Sequence, residues 1–172
     1  MAWEDTPPEI LRLATFLNDF YKESDRGAVL MAGSILDEVL AGMISAFLID
    51  STESKKLLEG FNAPLGTFSS RILAAYSLGL IEEQEFSEVE AIRKIRNMYG
   101  HAWSGIDFNH PKVMAQLEKL PFSDETARVR LNHTVANLLG DWLWRESYII
   151  EEKRKMRTWP NKSGFGRHHS KR

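Results

Sequence analysis

The chain has 172 residues and a formal net charge of −2, and 43% of its residues are hydrophobic, among them five Trp and nine Phe. This length suits a single domain, and the apolar content excludes wholesale disorder. The chain contains no cysteine, which excludes disulfides, thiolate metal sites and cysteine nucleophiles. The acidic N-terminal residues do not have the pattern of an export signal, so we expect a cytoplasmic protein.

The net charge hides a strong asymmetry along the chain. Residues 151–172 contain eight basic and two acidic residues, a net charge of +6, so the rest of the chain carries −8. From residue 158 onward aliphatic side chains are almost absent, which predicts a helical domain over 1–157 and a flexible basic tail over 158–172. Basic residues here are candidates to hold RNA, an acidic partner or a second copy. They include Lys153, Arg154, Lys155, Arg157, Lys162 and Arg167.

Hydrophobic residues recur with helical spacing almost throughout, and no run alternates as a β-strand does. We therefore predict an all-α fold, a single-domain bundle of about six to seven helices. The predicted helices span about residues 7–22, 26–49, 54–59, 67–77, 83–101, 111–120 and 124–156.

Local signals set several of these boundaries. Thr6 precedes two prolines, which predicts an N-cap at Thr6, a helix beginning at Pro7 and a capping box with Glu9. Thr67 is predicted to cap the fourth helix, and Gly79 to follow its end.

The second predicted helix is apolar on most of its surface. Ala28–Ile49 is long enough to span a membrane, but Asp37 and Glu38 lie at its centre, where a charge in lipid costs roughly 3 kcal/mol. We therefore predict a central helix of a soluble bundle, with small residues such as Gly33 allowing a neighbouring helix to approach closely.

The segment Arg96-Asn97-Met98-Tyr99-Gly100-His101 closes the fifth predicted helix and carries the clearest chemistry. A guanidinium matches the paired oxygens of a phosphate, and an imidazole, with an unperturbed pKa of about 6.5, exchanges protons near neutrality. Arg96 and His101 do not share a face of an ideal helix, so we expect Gly100 to loosen the last turn and let them converge.

Such a pair could cleave RNA without a metal. The imidazole would take the proton of a ribose 2′-hydroxyl, and the guanidinium would stabilise charge on the phosphate. Because acid and base are both needed, two copies meeting across a two-fold axis would make a better site than one. The structural alternative, which residue chemistry alone favours, has Arg96 paired with Asp37 or Glu38 and His101 capping the helix.

Three segments resemble the bacterial mannitol operon repressor family. They are Ala-Pro-Leu-Gly-Thr-Phe-Ser-Ser-Arg-Ile at 63–72, Ala-Tyr-Ser-Leu-Gly-Leu-Ile at 75–81 and Ile-Arg-Lys-Ile-Arg-Asn at 92–97. The resemblance implies an all-helical bundle, often dimeric and without a DNA-reading helix, that regulates through protein partners such as the phosphocarrier of the sugar phosphotransferase system. Arg71 lies in the first segment and Arg93 in the third, and we predict that both bind a phosphate or a partner.

The end of the fifth helix also resembles the HEPN superfamily (higher eukaryote and prokaryote nucleotide-binding). Nuclease members carry an Arg, a polar residue, a short spacer and a His, which Arg96, Asn97 and His101 match in order. The resemblance implies that these three residues of two protomers face each other in a cleft and cut RNA without a metal, often in toxin or phage-defence systems, where an antitoxin would be the protein partner.

These observations predict a dimeric helical regulator that acts through protein contacts, with a metal-independent endoribonuclease as the alternative. Direct DNA reading is not expected, because no helix-turn-helix is evident and the acidic body repels phosphates. For Arg71, a structural ion pair with Glu88 or Glu90 is the alternative to anion binding. No His, Asp or Glu cluster has metal-ligand spacing, so no metal or cofactor is predicted.

Overall fold

The computed structural model describes residues 6–152 and 154–157, and these residues form seven α-helices and no β-strand. The helices are α1 (Pro8–Phe20), α2 (Asp25–Phe47), α3 (Thr52–Leu58), α4 (Phe68–Ser77), α5 (Glu83–His101), α6 (Pro111–Leu117) and α7 (Ala127–Glu152). The predicted all-α fold is confirmed.

Helix α2 lies at the centre of the bundle, as predicted. It packs against α1, α3, α4, α5 and α7, most extensively against α7 and α5. The core of the bundle includes Ile92 and Ile95 of α5 and Leu139 and Trp142 of α7, all of which are buried. Each such side chain stabilises the fold by roughly 1.5–3 kcal/mol relative to an exposed one.

The same helix is the one element, within the residues described, that is long and apolar enough to cross a membrane. Half of its most apolar stretch is buried inside the bundle. Its two central carboxylates, Asp37 and Glu38, bind arginines of α4 and α1 respectively. Packing at the centre of the bundle therefore accounts for the apolar composition of α2.

The boundaries of α4 and α5 agree with the sequence signals. The Ser70 N–H donates to Thr67 Oγ1 at 3.2 Å and the Thr67 N–H donates to Ser70 Oγ at 3.2 Å, a reciprocal capping box. Gly79 follows α4 with a φ of +71°, in the left-handed region that favours glycine. Helix α5 begins at Glu83 and ends at His101, as predicted.

The predicted start of α1 is wrong by one residue. Pro7 is the N-cap, Pro8 begins the helix, and no side chain caps the first turn. The Glu9 carboxylate instead accepts a hydrogen bond from the Ser147 hydroxyl of α7, which lowers the pKa of Glu9. The Glu9 carboxylate, which the local pattern assigned to a capping box, therefore accepts a hydrogen bond from α7 instead.

Helix α6 ends earlier and α7 begins later than predicted, because a longer turn lies between them, and α7 also ends at Glu152 rather than at about residue 156. Phe122 has a φ of +63°, outside helical geometry. Arg130 Nε donates to the Pro121 carbonyl at 2.8 Å, which ties this turn to α7. Residues 154–157 lie beyond the end of α7, and the predicted tail over 158–172 lies outside the described residues.

Candidate functional site

The C-terminal end of α5 brings the predicted site residues to the protein surface. Arg96 and His101 are exposed and Asn97 is half-buried. Arg96 Nη1 donates to Asn97 Oδ1 at 3.3 Å. No hydrogen bond joins His101 to either residue in the part of the chain described, so only Arg96 and Asn97 are in direct polar contact.

Helix α5 runs through Gly100 without a break. Gly100 does not have a positive φ, and the Ala102 N–H donates to the Met98 carbonyl at 3.1 Å. The expectation that Gly100 loosens the last turn is therefore wrong, because the backbone hydrogen bonds continue to the end of the helix. A Cβ at Gly100 would meet nothing within 4 Å.

The stem of Arg96 lies directly over Gly33 of α2. A Cβ at Gly33 would stand 2.7 Å from Cγ of Arg96, closer than two carbon atoms can pack. The glycine therefore lets the Arg96 stem cross α2, and the guanidinium can reach solvent beyond it.

Arg96 does not bind the two carboxylates that the structural alternative assigned to it. Arg71 Nη1 donates to Asp37 Oδ1 at 2.9 Å, and Arg12 Nη2 donates to Glu38 Oε1 at 2.9 Å. Among the residues described, no carboxylate forms an ion pair with Arg96. The charge of its guanidinium is therefore available to a ligand or a partner.

Two further residues at this end were not predicted from the sequence. Arg26 Nη2 donates to the Ala102 carbonyl at 2.9 Å and so caps the C-terminal end of α5. The side chain of Trp103 is 100% exposed, which is unusual because large aromatic residues normally lose most of their surface on folding. The position of Trp103 in a glycine-containing loop is a sequence signal for its exposure. Arg26 lies 76 residues from Ala102, so no local sequence signal indicates their contact.

We call Arg26, Arg96, Asn97, His101 and Trp103 the α5-end surface. It combines two guanidinium groups, an imidazole and an exposed indole, and of the two acidic residues beside it along the chain, Asp25 and Asp107, the first is already paired with Arg128. Guanidinium groups suit carboxylate and phosphate oxygens, and an indole provides a flat apolar face. The surface is therefore suited to an anionic partner that also presents an apolar or planar group.

Tyr99 lies beneath this surface as a packing residue. It is 2% exposed, and its ring centroid is 5.7 Å from that of Phe108. Burial, together with the nearby carboxylates of Asp25 and Asp107, raises the pKa of Tyr99 to about 12. The phenol is therefore neutral near pH 7 and is not a candidate base.

Arg71 joins three parts of the chain. Its Nε donates to the Leu65 carbonyl at 2.9 Å, its Nη1 to Asp37, and its Nη2 to the Leu58 carbonyl at 3.4 Å. Its carboxylate partner is therefore on α2 rather than at Glu88 or Glu90. The pair with Asp37 links α4 to α2, and the Arg71 side chain is only 16% exposed. Its predicted role in binding a phosphate or partner stays a prediction.

Arg93 pairs with Glu90 on the same helix. Its Nε is 2.7 Å from Glu90 Oε1 and its Nη2 is 3.0 Å from Oε2, a bidentate arrangement. These hydrogen bonds lower the pKa of Glu90 and raise the pKa of Arg93. The charge of Arg93 is thus already matched within α5, and its predicted role in binding likewise stays a prediction.

The basic residues after α7 are only partly described. The Arg154 guanidinium lies over the ring of Phe47, 3.6 Å from its centroid, and Lys155 and Arg157 are exposed. The other predicted tail residues, Lys153, Lys162 and Arg167, lie outside the described residues. Within the described ranges, no group of three or more His, Asp or Glu side chains could hold a metal ion.

Comparisons with models of known families and with curated proteins give no match. Among solved structures, the fold is similar to that of a chain in the MtlR–HPr complex from Escherichia coli, with a TM-score of 0.59 and 20% sequence identity. The alignment covers 82% of this chain and 99% of that chain. The chain has an MtlR-like fold. An all-helical bundle is also what the resemblance of the three segments between residues 63 and 97 implies.

Proposed function

We propose that this protein is a helical regulator that acts by binding other proteins, with a phosphocarrier protein as its partner. The observation that carries the proposal is the fold similarity to a chain from a complex with HPr, which extends over 82% of this chain. The three segments between residues 63 and 97 that resemble the mannitol operon repressor family support the same function.

We assign partner binding to the α5-end surface. Trp and Arg dominate the binding energy of many protein interfaces, since they combine large contact area with charged hydrogen bonds. Here Trp103 is fully exposed, and Arg96 carries a charge that no described carboxylate neutralises. A partner with acidic side chains beside an apolar patch would complement this surface.

The binding test uses the full chain and a purified, unmodified phosphocarrier protein in isothermal titration calorimetry. Trp103→Ala should weaken binding by at least about tenfold, as expected for a central aromatic residue. Trp144→Ala is the matched control, because Trp144 is 43% exposed on α7 and lies outside the α5-end surface. The control should change affinity by less than about twofold.

The possible outcomes test the identity of the partner and the location of its binding surface separately. Absence of any binding to the phosphocarrier would contradict that partner. Binding that Trp103→Ala leaves unchanged would contradict the α5-end surface alone. A pull-down from cell extract that recovers no specific protein, with or without the residues after Met156, would contradict regulation through protein contacts.

We further propose that the protein is a homodimer, as both resemblances imply. Light scattering of the full chain over a hundredfold concentration range should give twice the monomer mass of 19.7 kDa. A constant monomer mass would contradict the dimer.

The α5-end surface also favours a second candidate function, a metal-independent endoribonuclease. Arg96, Asn97 and His101 are all accessible to solvent, and Arg96 is not held by an acidic residue of its own protomer among those described. The His101 imidazole would take the 2′-hydroxyl proton, the 2′-oxygen would attack the adjacent phosphorus, and Arg96 would stabilise the charge on the phosphate. The second copy would supply the acid for the leaving 5′-oxygen.

This activity is tested by incubating single-stranded RNA with the purified chain in the presence of a metal chelator. His101→Ala and Arg96→Ala should each abolish cleavage, whereas His133→Ala, which removes an exposed imidazole of α7, should not. Intact RNA with the wild-type chain would contradict the nuclease. Equal cleavage by all four proteins would show that the activity does not come from this site.

A further inference from the structure

A groove lies at the opposite end of α2 from the α5-end surface, where α2, the start of α3 and the end of α7 meet. Its volume is about 600 Å³. Pockets of about 300–1,000 Å³ are typical of sites that bind small molecules. The groove shares none of its lining residues with the α5-end surface.

Part of the groove lining is apolar, and we call this part the floor. Ala46, Leu48 and Ile49 line it where α2 ends, and Ile150 lines it from α7. Ile150 is 49% exposed, so aliphatic surface remains open to solvent. An apolar body lying on this floor would remove that surface from water, which is favourable.

The exposed charged residues of the lining are three cations, Lys55, Arg154 and Lys155, and one carboxylate, Asp50, and we call these four residues the rim. Lys55 Nζ lies 3.7 Å from Asp50 Oδ1, with both side chains mostly in solvent, so this pair is weak. Stacking on Phe47 fixes the Arg154 guanidinium at the rim. The rim therefore favours an anion.

The least exposed charged residue of the lining is an acid, Glu146, and we call its position the inner end of the groove. The Glu146 carboxylate lies against Gly42, where no Cβ is present to exclude it, and 3.7 Å from Arg12 Nη1. Its side chain is 20% exposed, and burial raises the pKa of Glu146. The carboxylate disfavours an anion at the inner end, so an anionic group would sit at the rim.

We propose that this groove binds a small carboxylate with an aliphatic body, the carboxylate lying at Lys55, Arg154 and Lys155 and the body on the apolar floor. The inference is independent of the proposed function, because it concerns a different surface and a different class of ligand. In a regulator, such a site would bind a small metabolite rather than a protein, and regulation would then respond to that metabolite.

The test titrates the full chain with the fluorescent sulfonate 8-anilinonaphthalene-1-sulfonate, which combines an anionic group with an apolar body. We expect saturable binding of one probe molecule per chain. Octanoate should displace the probe at a concentration at which octan-1-ol, equally long but uncharged, does not. Circular dichroism must show a folded protein throughout, because this probe also binds partly unfolded states.

Two variants locate the site. Lys55→Gln combined with Lys155→Gln should weaken the displacement by octanoate about three- to tenfold, because exposed charges contribute modestly. Lys56→Gln, at the neighbouring exposed position outside the groove, should change it less than about twofold. Ala46→Phe should abolish saturable binding by filling the floor, and the exposed lysine variants test the site even if Ala46→Phe does not fold.

Several results would overturn the proposal. They are absence of saturable binding, equal displacement by octan-1-ol and octanoate, an equal effect of the Lys56 control and the double lysine variant, or unchanged binding by a folded Ala46→Phe protein.

Discussion

Gly33 of α2 lies directly beneath the side chain of Arg96 of α5. A Cβ at position 33 would stand 2.7 Å from Cγ and 3.3 Å from Cβ of Arg96, so the glycine provides the space through which the arginine stem passes. The position of one guanidinium on the α5-end surface therefore depends on a residue 63 positions earlier in the chain.

We expect Gly33→Ala to be no more stable than the wild type, although alanine favours a helix by about 0.5–1 kcal/mol. The added Cβ would press on the Arg96 stem, and overpacking of this kind costs about 1–3 kcal/mol. In an Arg96→Ala background Cγ is absent and the Cβ that remains at 3.3 Å needs only a small shift, so part of the helix preference should appear. Urea denaturation of the four proteins should give a coupling of about 1 kcal/mol, and additive effects would contradict the contact.

Gly100→Ala should stabilise the protein by about 0.5–1 kcal/mol, because the backbone there is helical and nothing lies within 4 Å of the new Cβ. Gly79→Ala is the matched control. Its φ of +71° disfavours any side chain, so it should lose about 1 kcal/mol or more. Thermal denaturation measures both, and a lower melting temperature for Gly100→Ala would contradict the unbroken end of α5.

Asp37→Ala should destabilise the protein by about 1–3 kcal/mol, because it leaves the largely buried Arg71 guanidinium without its carboxylate. Glu38→Ala removes the neighbouring carboxylate, whose side chain is 69% exposed in its pair with Arg12, and should cost less than about 1 kcal/mol. Equal losses in urea denaturation would show that Arg71 is not the specific link between α4 and α2.

Glu88→Gln should stabilise the protein at pH 8 and leave its stability unchanged near pH 4. Burial raises the pKa of Glu88 above its usual 4.5. As the pH rises, the unfolded state therefore loses this proton before the folded state does. The wild type therefore loses stability as the pH rises from 4.5 through the folded pKa. Gln84 Nε2 donates to Glu88 Oε1 at 2.9 Å, and glutamine keeps that acceptor.

Glu90→Gln should change stability with pH in the opposite direction to Glu88→Gln, because the pKa of Glu90 is lowered rather than raised. Hydrogen bonds from Arg93 lower the pKa of Glu90, so its contribution is present above pH 4.5 and disappears as the pH falls through the lowered folded pKa. The variant should be less stable than the wild type at pH 7, and the difference should shrink below pH 4.5. Urea denaturation from pH 3 to 8 measures both variants, and the same pH trend in both would contradict these assignments.

Much of the fold could be predicted because its signals are local. The capping box of Thr67 and Ser70 joins residues three apart, and Gly79 marks a backbone conformation that other residues avoid. The start of α1 was predicted incorrectly because two adjacent prolines fit the first helical position equally well. A contact with Ser147 then removed Glu9 from its predicted capping role.

The candidate site was only partly predictable for the opposite reason. The end of α5 supplied Arg96, Asn97 and His101 as a sequence motif, but their surroundings come from distant parts of the chain. Arg26 reaches the Ala102 carbonyl from α2, and nothing local distinguishes it from other surface arginines. The full exposure of Trp103 likewise depends on which elements leave it uncovered.

The sequence by itself determined the helical class of the fold, the extent of α5 and the chemistry available at its end, because helical periodicity and capping act within a few residues. The tertiary structure alone decided how the charges are paired. Asp37 pairs with Arg71 and Glu38 pairs with Arg12. Arg96 lies over Gly33 and forms no ion pair with any carboxylate among the described residues. Ion pairing depends on distances of a few ångströms across helices, which the order of residues does not specify.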